Sequence, residues 1–338
     1  MKIIFGTCIS GNGHQTQAIA VKQYLEKQGI NVIYNLVGKP YKNNIPKYFT
    51  DEFNIKQHHS FDFVFGKDGR VVLWKTILKG IFKLPRLILS FINICKVIKK
   101  EKPDAIFNFY EPLVGLTSIF FPNIKYVSFG HQYAMESAIY PDVKGYPIQK
   151  MFLGIINSVT SIKSKIVALS YYEFKDDTMI VSPPILRQES YVVSDKIEDF
   201  VLVYLMNEDM LPQLIDQAQL NPGIKIECFS KITRKHDVPS NLKLFNLDGS
   251  LFQQRMKVCK AVVCSGGFET ASESILQKKP LLMIPMPNHY EQHSNVHDAK
   301  INGFAEWCSV IDLSKIPKRQ IGNDDWFNRI DEVINKVL

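Results

Sequence analysis

An apolar run, Ala261-Val262-Val263-Cys264, stops at Ser265-Gly266-Gly267 and restarts as Phe268-Glu269-Thr270-Ala271-Ser272-Glu273-Ser274-Ile275-Leu276, a helical pattern. Glycines between a buried strand and a helix leave backbone N–H groups bare of side chains, and the helix amino end adds partial positive charge. That chemistry suits a phosphate, although a glycine pair alone is equally well a structural turn. Glu269 and Glu273 stand four apart on one helix face, where two carboxylates repel and at least one calls for a ligand or donor. A solvated face is the plainer account of that pair.

The next apolar run, Leu281–Ile284, leads into Pro285-Met286-Pro287-Asn288-His289-Tyr290-Glu291-Gln292-His293-Ser294-Asn295, read as a loop. It must emerge at the same sheet edge as the glycine turn, where an open α/β sheet binds its ligand. Near the amino terminus, Gly11-Asn12-Gly13-His14 joins a strand to a helix. A histidine there has an ordinary pKa of about 6.5 and suits proton abstraction near neutrality; a capping role is its plainer alternative. His131, after Phe129-Gly130, and Glu111, in Asn108-Phe109-Tyr110-Glu111-Pro112, also follow predicted strands, and the residues do not rank the three. No Asp-x-Asp pair follows a strand, and His58-His59 lacks partners at ligand spacing, so no metal is expected.

These residues need elements to hold them. Residues 2–8, Asn31–Val37, Asp104–Phe109, Lys125–Phe129 and Lys165–Ser170 read as strands of one series. Phe200–Tyr204, Ile224–Phe229, Leu242–Phe245, Ala261–Cys264 and Pro280–Ile284 form a second, and a helix over Trp326–Val337 closes the chain. The pattern predicts an α/β protein of two Rossmann-like doubly wound parallel-sheet domains facing a cleft. The expected bounds are 1–183, 184–322, and a C-terminal helix in 323–338 packing back toward the first domain.

Composition is that of a soluble globular protein: 338 residues, 46% hydrophobic and 22% charged, with formal net charge +8. The six cysteines include no C-x-x-C pair, which argues against a zinc site or disulfide framework. The start Met1-Lys2-Ile3-Ile4-Phe5-Gly6 leaves no room for a signal peptide, so a cytoplasmic location is expected. The basic excess suits phosphorylated ligands or an anionic membrane; nucleic acid is disfavoured because Glu269, Glu273 and Glu291 stand in the candidate site. Trp74–Ile92 mixes lysines at 75, 79 and 83 with bulky apolar residues around Pro85. It reads either as a membrane-surface segment, at the inner face of the membrane, or as two core helices divided at Pro85.

Cys264-Ser265-Gly266-Gly267-Phe268-Glu269-Thr270-Ala271-Ser272-Glu273, Lys279-Pro280, Ile284-Pro285 and Glu291-Gln292-His293-Ser294-Asn295 resemble the donor-site signature of inverting glycosyltransferases with two Rossmann-like domains, the GT-B fold. Relatives in that group are the lipid II-forming N-acetylglucosaminyltransferase of peptidoglycan synthesis, plant diacylglycerol galactosyltransferases and UDP-glycosyltransferases acting on small hydrophobic acceptors. The strong match covers about 50 residues. The resemblance implies that Ser265, Gly266 and Gly267 meet a diphosphate and that Thr270 adds a hydroxyl donor. It further implies that Glu273 binds the ribose hydroxyls, that Glu291 and Gln292 bind the transferred sugar, and that the backbone of Phe245–Leu247 reads the base. Many members have histidine where Ser265 stands, which removes a cationic phosphate contact. The Gly11/Gly13 loop also resembles theirs and favours His14 as base.

The expected activity is metal-independent transfer of a sugar from a nucleotide-diphosphate sugar, uridine-linked by resemblance, to a glycan or glycolipid hydroxyl. No cofactor beyond the co-substrate is called for. A non-hydrolysing nucleotide-sugar 2-epimerase and a non-catalytic nucleotide-sugar-binding subunit stay open as alternatives.

Overall fold

The computed structural model describes residues 1–9, 12–39, 45–61, 73–206, 208–319 and 323–338, with backbone only at 73–79 and 324. The chain forms two compact units. One comprises Met1–Tyr140, Lys144–Arg187 and Trp326–Leu338; the other comprises Pro141–Val143 and Gln188–Asp325.

In the first unit, β1 (Ile3–Cys8), α1 (Gly13–Lys27), β2 (Val32–Lys39), α2 (Lys47–Thr50) and β3 (Ile55–His59) precede the long α3 (Leu73–Glu101). Then come β4 (Ala105–Phe109), α4 (Pro112–Thr117), β5 (Lys125–Gly130), α5 (Pro147–Thr160), β6 (Lys165–Leu169) and β7 (Ile180–Ser182). The strands pair in parallel in the order β3-β2-β1-β4-β5-β6-β7. Alternation along the central strands divides the core: Phe5, Phe107, Phe109 and Phe129 pack ring on ring at 5.0–5.9 Å, whereas Ile4, Leu36 and Ile106 pack with Leu87, Ile94 and Ile98 of α3.

The second unit runs β8 (Val201–Tyr204), α6 (Leu211–Leu220), β9 (Ile226–Phe229), β10 (Leu242–Phe245), α7 (Gly249–Val258), β11 (Ala261–Ser265), α8 (Phe268–Leu276), β12 (Leu281–Ile284), α9 (Tyr290–Ile301) and β13 (Glu306–Trp307). Its parallel order is β10-β9-β8-β11-β12-β13. Two parallel α/β Rossmann-like units are the fold class expected from the sequence. The chain closes with α10 (Asp324–Phe327) and α11 (Ile330–Val337). Phe327, Ile330, Val333, Ile334 and Val337 are buried, and the Trp326 indole donates to the Ser170 carbonyl at 3.0 Å, so this segment completes the first unit.

Several elements differ from the sequence expectation. β3, β7 and β13 were not anticipated; they are short, and β3 (Ile-Lys-Gln-His-His) is a polar edge strand without an apolar run. The stretch around Pro85 is one helix rather than two, with the ring accommodated inside α3 at the loss of one backbone hydrogen bond. Nor is α3 wholly a core helix: Ile81, Phe82, Leu84, Ile88, Leu89 and Ile92 are exposed, Phe82 by 79%. Lys75 and Lys79 lie outside the described side chains. Finally, only residues 285–289 form the loop after β12. Asn288 turns the chain at φ 60°, His289 caps the next helix, and Glu291 to Asn295 are therefore helical.

Candidate active site

In each sheet the strand order reverses between the first and fourth strands, β1 and β4 in one and β8 and β11 in the other. The loops leaving such a pair run to opposite faces and open a crevice at the carboxyl ends of the strands. The glycine turn lies at the reversal of the second sheet, His14 and Glu111 at that of the first.

At the second sheet, the Ser265 hydroxyl accepts a hydrogen bond from the Met206 amide at 3.2 Å, tying together the two loops that diverge there. Ser265 is 2% exposed, so where a charged ring was wanting it braces the fold. The two glycines have different physical reasons. A Cβ on Gly266 would lie 2.8 Å from the Gln292 carbonyl and 3.0 Å from Val296 Cγ1, and the Asn295 amide donates to the Gly266 carbonyl at 2.9 Å. Gly266 is thus where the first turn of α9 closes on the end of β11. Gly267, at the amino cap of α8, has φ −79° and ψ 141°, which any residue adopts, and a Cβ there meets nothing within 4 Å. Among the described residues nothing requires it to be glycine. Its amide turns back to the Ser265 carbonyl at 2.6 Å, so a phosphate would be met by the first-turn amides of α8, which have no acceptor within the helix.

Because β11 and β12 are hydrogen-bonded neighbours, the amino ends of α8 and α9 stand side by side. The sequence-predicted ligands divide between them. Thr270 is half-buried in the first turn of α8 and Glu291 in the first turn of α9. Gln292 is 2% exposed, and its side-chain carbonyl accepts from the Met286 amide at 2.8 Å. That bond closes the loop after β12, leaving the Nε2 amide, 4.0 Å from Met206 Sδ, as the group that can turn to a ligand. Glu273 is 5% exposed and accepts from the Ser190 hydroxyl at 3.1 Å. Phe245, at the end of β10, stacks on Phe229 at 4.9 Å, and its carbonyl accepts from the Ser230 amide.

At the first sheet, Gly11 lies outside the described residues, and Gly13 opens α1 with His14 in its first turn. The His14 ring stacks on Tyr110 with centroids 5.0 Å apart and planes 14° from parallel. It is 7% exposed, and Nδ1 has no hydrogen-bond partner. Burial pulls its pKa down to about 4, against a weaker opposing effect of Gln17, so the ring is neutral near pH 7. Tyr110 has φ 62°, a conformation that a bulky L-residue resists at a cost of about 1–3 kcal/mol. It is held there by its hydroxyl bond to Asn157 at 2.5 Å and by Asn108, whose side chain clasps both N–H and C=O of Glu111.

The other two candidates are bound into the fold. His131 Nδ1 meets the Leu169 carbonyl at 2.7 Å, which can only accept, so this nitrogen carries the proton and Nε2 faces the Tyr140 hydroxyl at 3.2 Å. Glu111 is wholly buried. One carboxylate oxygen caps α4 by accepting from the Val114 amide at 2.7 Å; the other takes the Ser60 hydroxyl and lies 3.2 Å from His58 Nε2. Among the described residues no three His, Cys, Asp or Glu side chains gather as metal ligands.

Sequence reasoning missed Ser190, Gln277, Met206 and Tyr110. Ser190 and Met206 lie 83 and 59 residues from their partners, a separation that leaves no local pattern. Asn108 and Glu111, spaced as a cap, were the available signal for the turn that presents Tyr110.

The family model described as glycosyl transferase family 1 matches residues 1–322. No curated protein sequence matches the chain. Among solved structures, MurG of Acinetobacter baumannii is similar over 99% of this chain and 100% of that one, with TM-score 0.56 and 16% identity. UGT89C1 of Arabidopsis thaliana, solved with quercetin, has TM-score 0.60 and 14% identity over 100% of this chain and 90% of that one. The glycosyltransferase SnogD of Streptomyces nogalater has TM-score 0.56 and 13% identity over 100% and 94%. At these identities the likenesses show the fold, that of GT-B glycosyltransferases.

The two glycines should separate in stability. In urea unfolding, Gly266→Ala is expected to cost about 1–3 kcal/mol through overpacking against a backbone carbonyl, and Gly267→Ala under about 1 kcal/mol. Equal costs would mean that the pair is a single structural turn.

Proposed function

The chain belongs to glycosyl transferase family 1, and we propose that it moves a sugar from a uridine-diphosphate sugar to an acceptor hydroxyl, with inversion and without a metal. The observation that carries this reading is Gly267. It is a glycine that the fold does not need, at a helix amino end and less than two turns before the buried carboxylate Glu273. A diphosphate lies against the bare turn, where first-turn amides of α8 and α9 and the two helix dipoles take up the charge of the leaving nucleotide. Glu273 accepts both ribose hydroxyls, as a carboxylate can. Thr270 adds a donor to phosphate, and Glu291 with the Gln292 amide binds the transferred sugar. The absence of an Asp-x-Asp pair after any strand supports metal independence.

His14 is the base in this reading. It is neutral, has an unpartnered buried Nδ1 and sits on a strained tyrosine at the first reversal of strand order, whereas His131 and Glu111 are held by structural bonds. Attack of the acceptor oxygen on the anomeric carbon expels the nucleoside diphosphate while His14 takes the hydroxyl proton. His14→Ala is expected to lower kcat by about 100-fold or more and leave UDP affinity unchanged. Because the ring stays unprotonated down to about pH 4, kcat/KM of the wild type should show no acid inflection near 6.5. Such an inflection, lost in His14→Ala, would contradict the burial argument, and a retained kcat would move the base elsewhere. UDP-sugar binding without transfer to any acceptor would favour a non-catalytic binding subunit.

We further propose that the first unit meets an anionic membrane from the cytoplasmic side, which suits a lipid-linked acceptor. Support comes from the exposed apolar residues of α3 and from Lys39, His59, Lys83 and Arg86, which line one pocket with Ser60. Among the described residues no helix is long and apolar enough to cross a membrane. Wild-type protein should sediment with phosphatidylglycerol vesicles and a Phe82→Glu, Leu89→Glu double variant should not. Equal sedimentation of the two would count against the contact.

A further inference from the structure

Glu273 follows the glycine turn closely, but its helix position alone does not fix where the carboxylate points. A free glutamate has three rotatable bonds, and holding two diol hydroxyls at once requires them all to be settled before the nucleotide arrives. In the structure the settling group comes from outside the α/β core. A short 3-10 turn, Gln188–Tyr191, precedes the first strand of the second unit. Ser190, 1% exposed, donates its hydroxyl hydrogen to Glu273 Oε1 at 3.1 Å.

The turn carrying Ser190 is itself fixed from α8. Gln277 follows Glu273 by one helical turn and so lies on the same face. It is 3% exposed, and its amide donates to the carbonyl oxygens of Ser190 and, at 3.3 Å, Val192. Two residues of one helix face therefore grip one short segment, Gln277 by its backbone and Glu273 by its serine. A serine hydroxyl has a single proton to give, and a carboxylate accepts from several donors at once, so the bond to Oε1 does not bar Glu273 from accepting a diol.

We propose that Ser190 is a positioning residue for nucleotide recognition: it orients Glu273 to accept the two ribose hydroxyls, with Gln277 as the strut that holds Ser190 in place. The proposal rests on the reading of Glu273 as the ribose ligand and adds the 188–192 segment to the donor site.

The test compares UDP with 2′,3′-dideoxy-UDP by calorimetry on full-length wild type, Ser190→Ala, Ser190→Thr, Glu273→Ala and the Ser190→Ala, Glu273→Ala double variant. Ser190→Ala should weaken UDP by about 3–10-fold, the scale of one hydrogen bond, without changing the affinity of the dideoxy nucleotide. Ser190→Thr, which keeps the hydroxyl, should restore UDP binding, and Ser190→Ala should have no further effect once Glu273 is alanine. Equal weakening of both nucleotides, or no weakening of UDP, would overturn the proposal. The underlying reading fails separately: if Glu273→Ala weakens both nucleotides equally or leaves UDP unweakened, or the wild type does not bind UDP, the ribose assignment is wrong. If Glu273→Ala weakens UDP alone and Ser190→Ala does not, only the role of Ser190 is lost.

Discussion

The second unit depends on one close approach, that of the Gly266 backbone to the first turn of α9. A side chain of any size at residue 266 would push the Gln292 carbonyl away, and with it the helix whose Asn295 secures the Gly266 carbonyl. With the contact made, two helices leaving neighbouring parallel strands begin at almost the same point. Their macrodipoles and first-turn amides then act on one small volume, which is what a diphosphate requires. Gly267 keeps that volume open. The same stretch of chain thus serves packing at one glycine and access at the next.

The first unit meets a comparable constraint differently. Its reversal of strand order is bounded by a buried carboxylate, Glu111, that caps α4, accepts the Ser60 hydroxyl and lies 3.2 Å from His58 Nε2. Together with the Asn108 clasp, this fixes the turn in which Tyr110 is driven to a left-handed φ. The tyrosine ring then lies flat under His14, shields it from solvent and depresses its pKa. The energetic chain runs from satisfied buried groups, through one strained residue, to a neutral imidazole with an unused nitrogen.

Much of this was legible in the sequence because it is local. Alternating apolar strands, the glycine turns and the order of elements determine the two Rossmann-like sheets, and the stretch from Cys264 to Asn295 carries its spacing on its face. The parts that were not legible depend on distance or on competition. Glu291 to Asn295 read as a loop because two prolines precede them, yet proline ends only the preceding element, and His289 can cap a new helix at once. Pro85 read as a boundary, but Leu87, Ile94 and Ile98 beyond it bury against Ile4, Leu36 and Ile106 of the sheet, and a proline inside a helix costs one backbone hydrogen bond without ending it. Gln292 was assigned to the sugar by resemblance; its carbonyl closes the loop after β12. The partner of Glu273 is supplied by a turn 83 residues away, which no local spacing can reveal.

The central claim is that a nucleoside diphosphate binds where α8 and α9 begin together. Amide hydrogen exchange with and without saturating UDP tests it most directly. Exchange is expected to slow in residues 265–270 and 289–293. Protection confined to the first unit, or spread evenly through the second with no focus at these two helix ends, would contradict it.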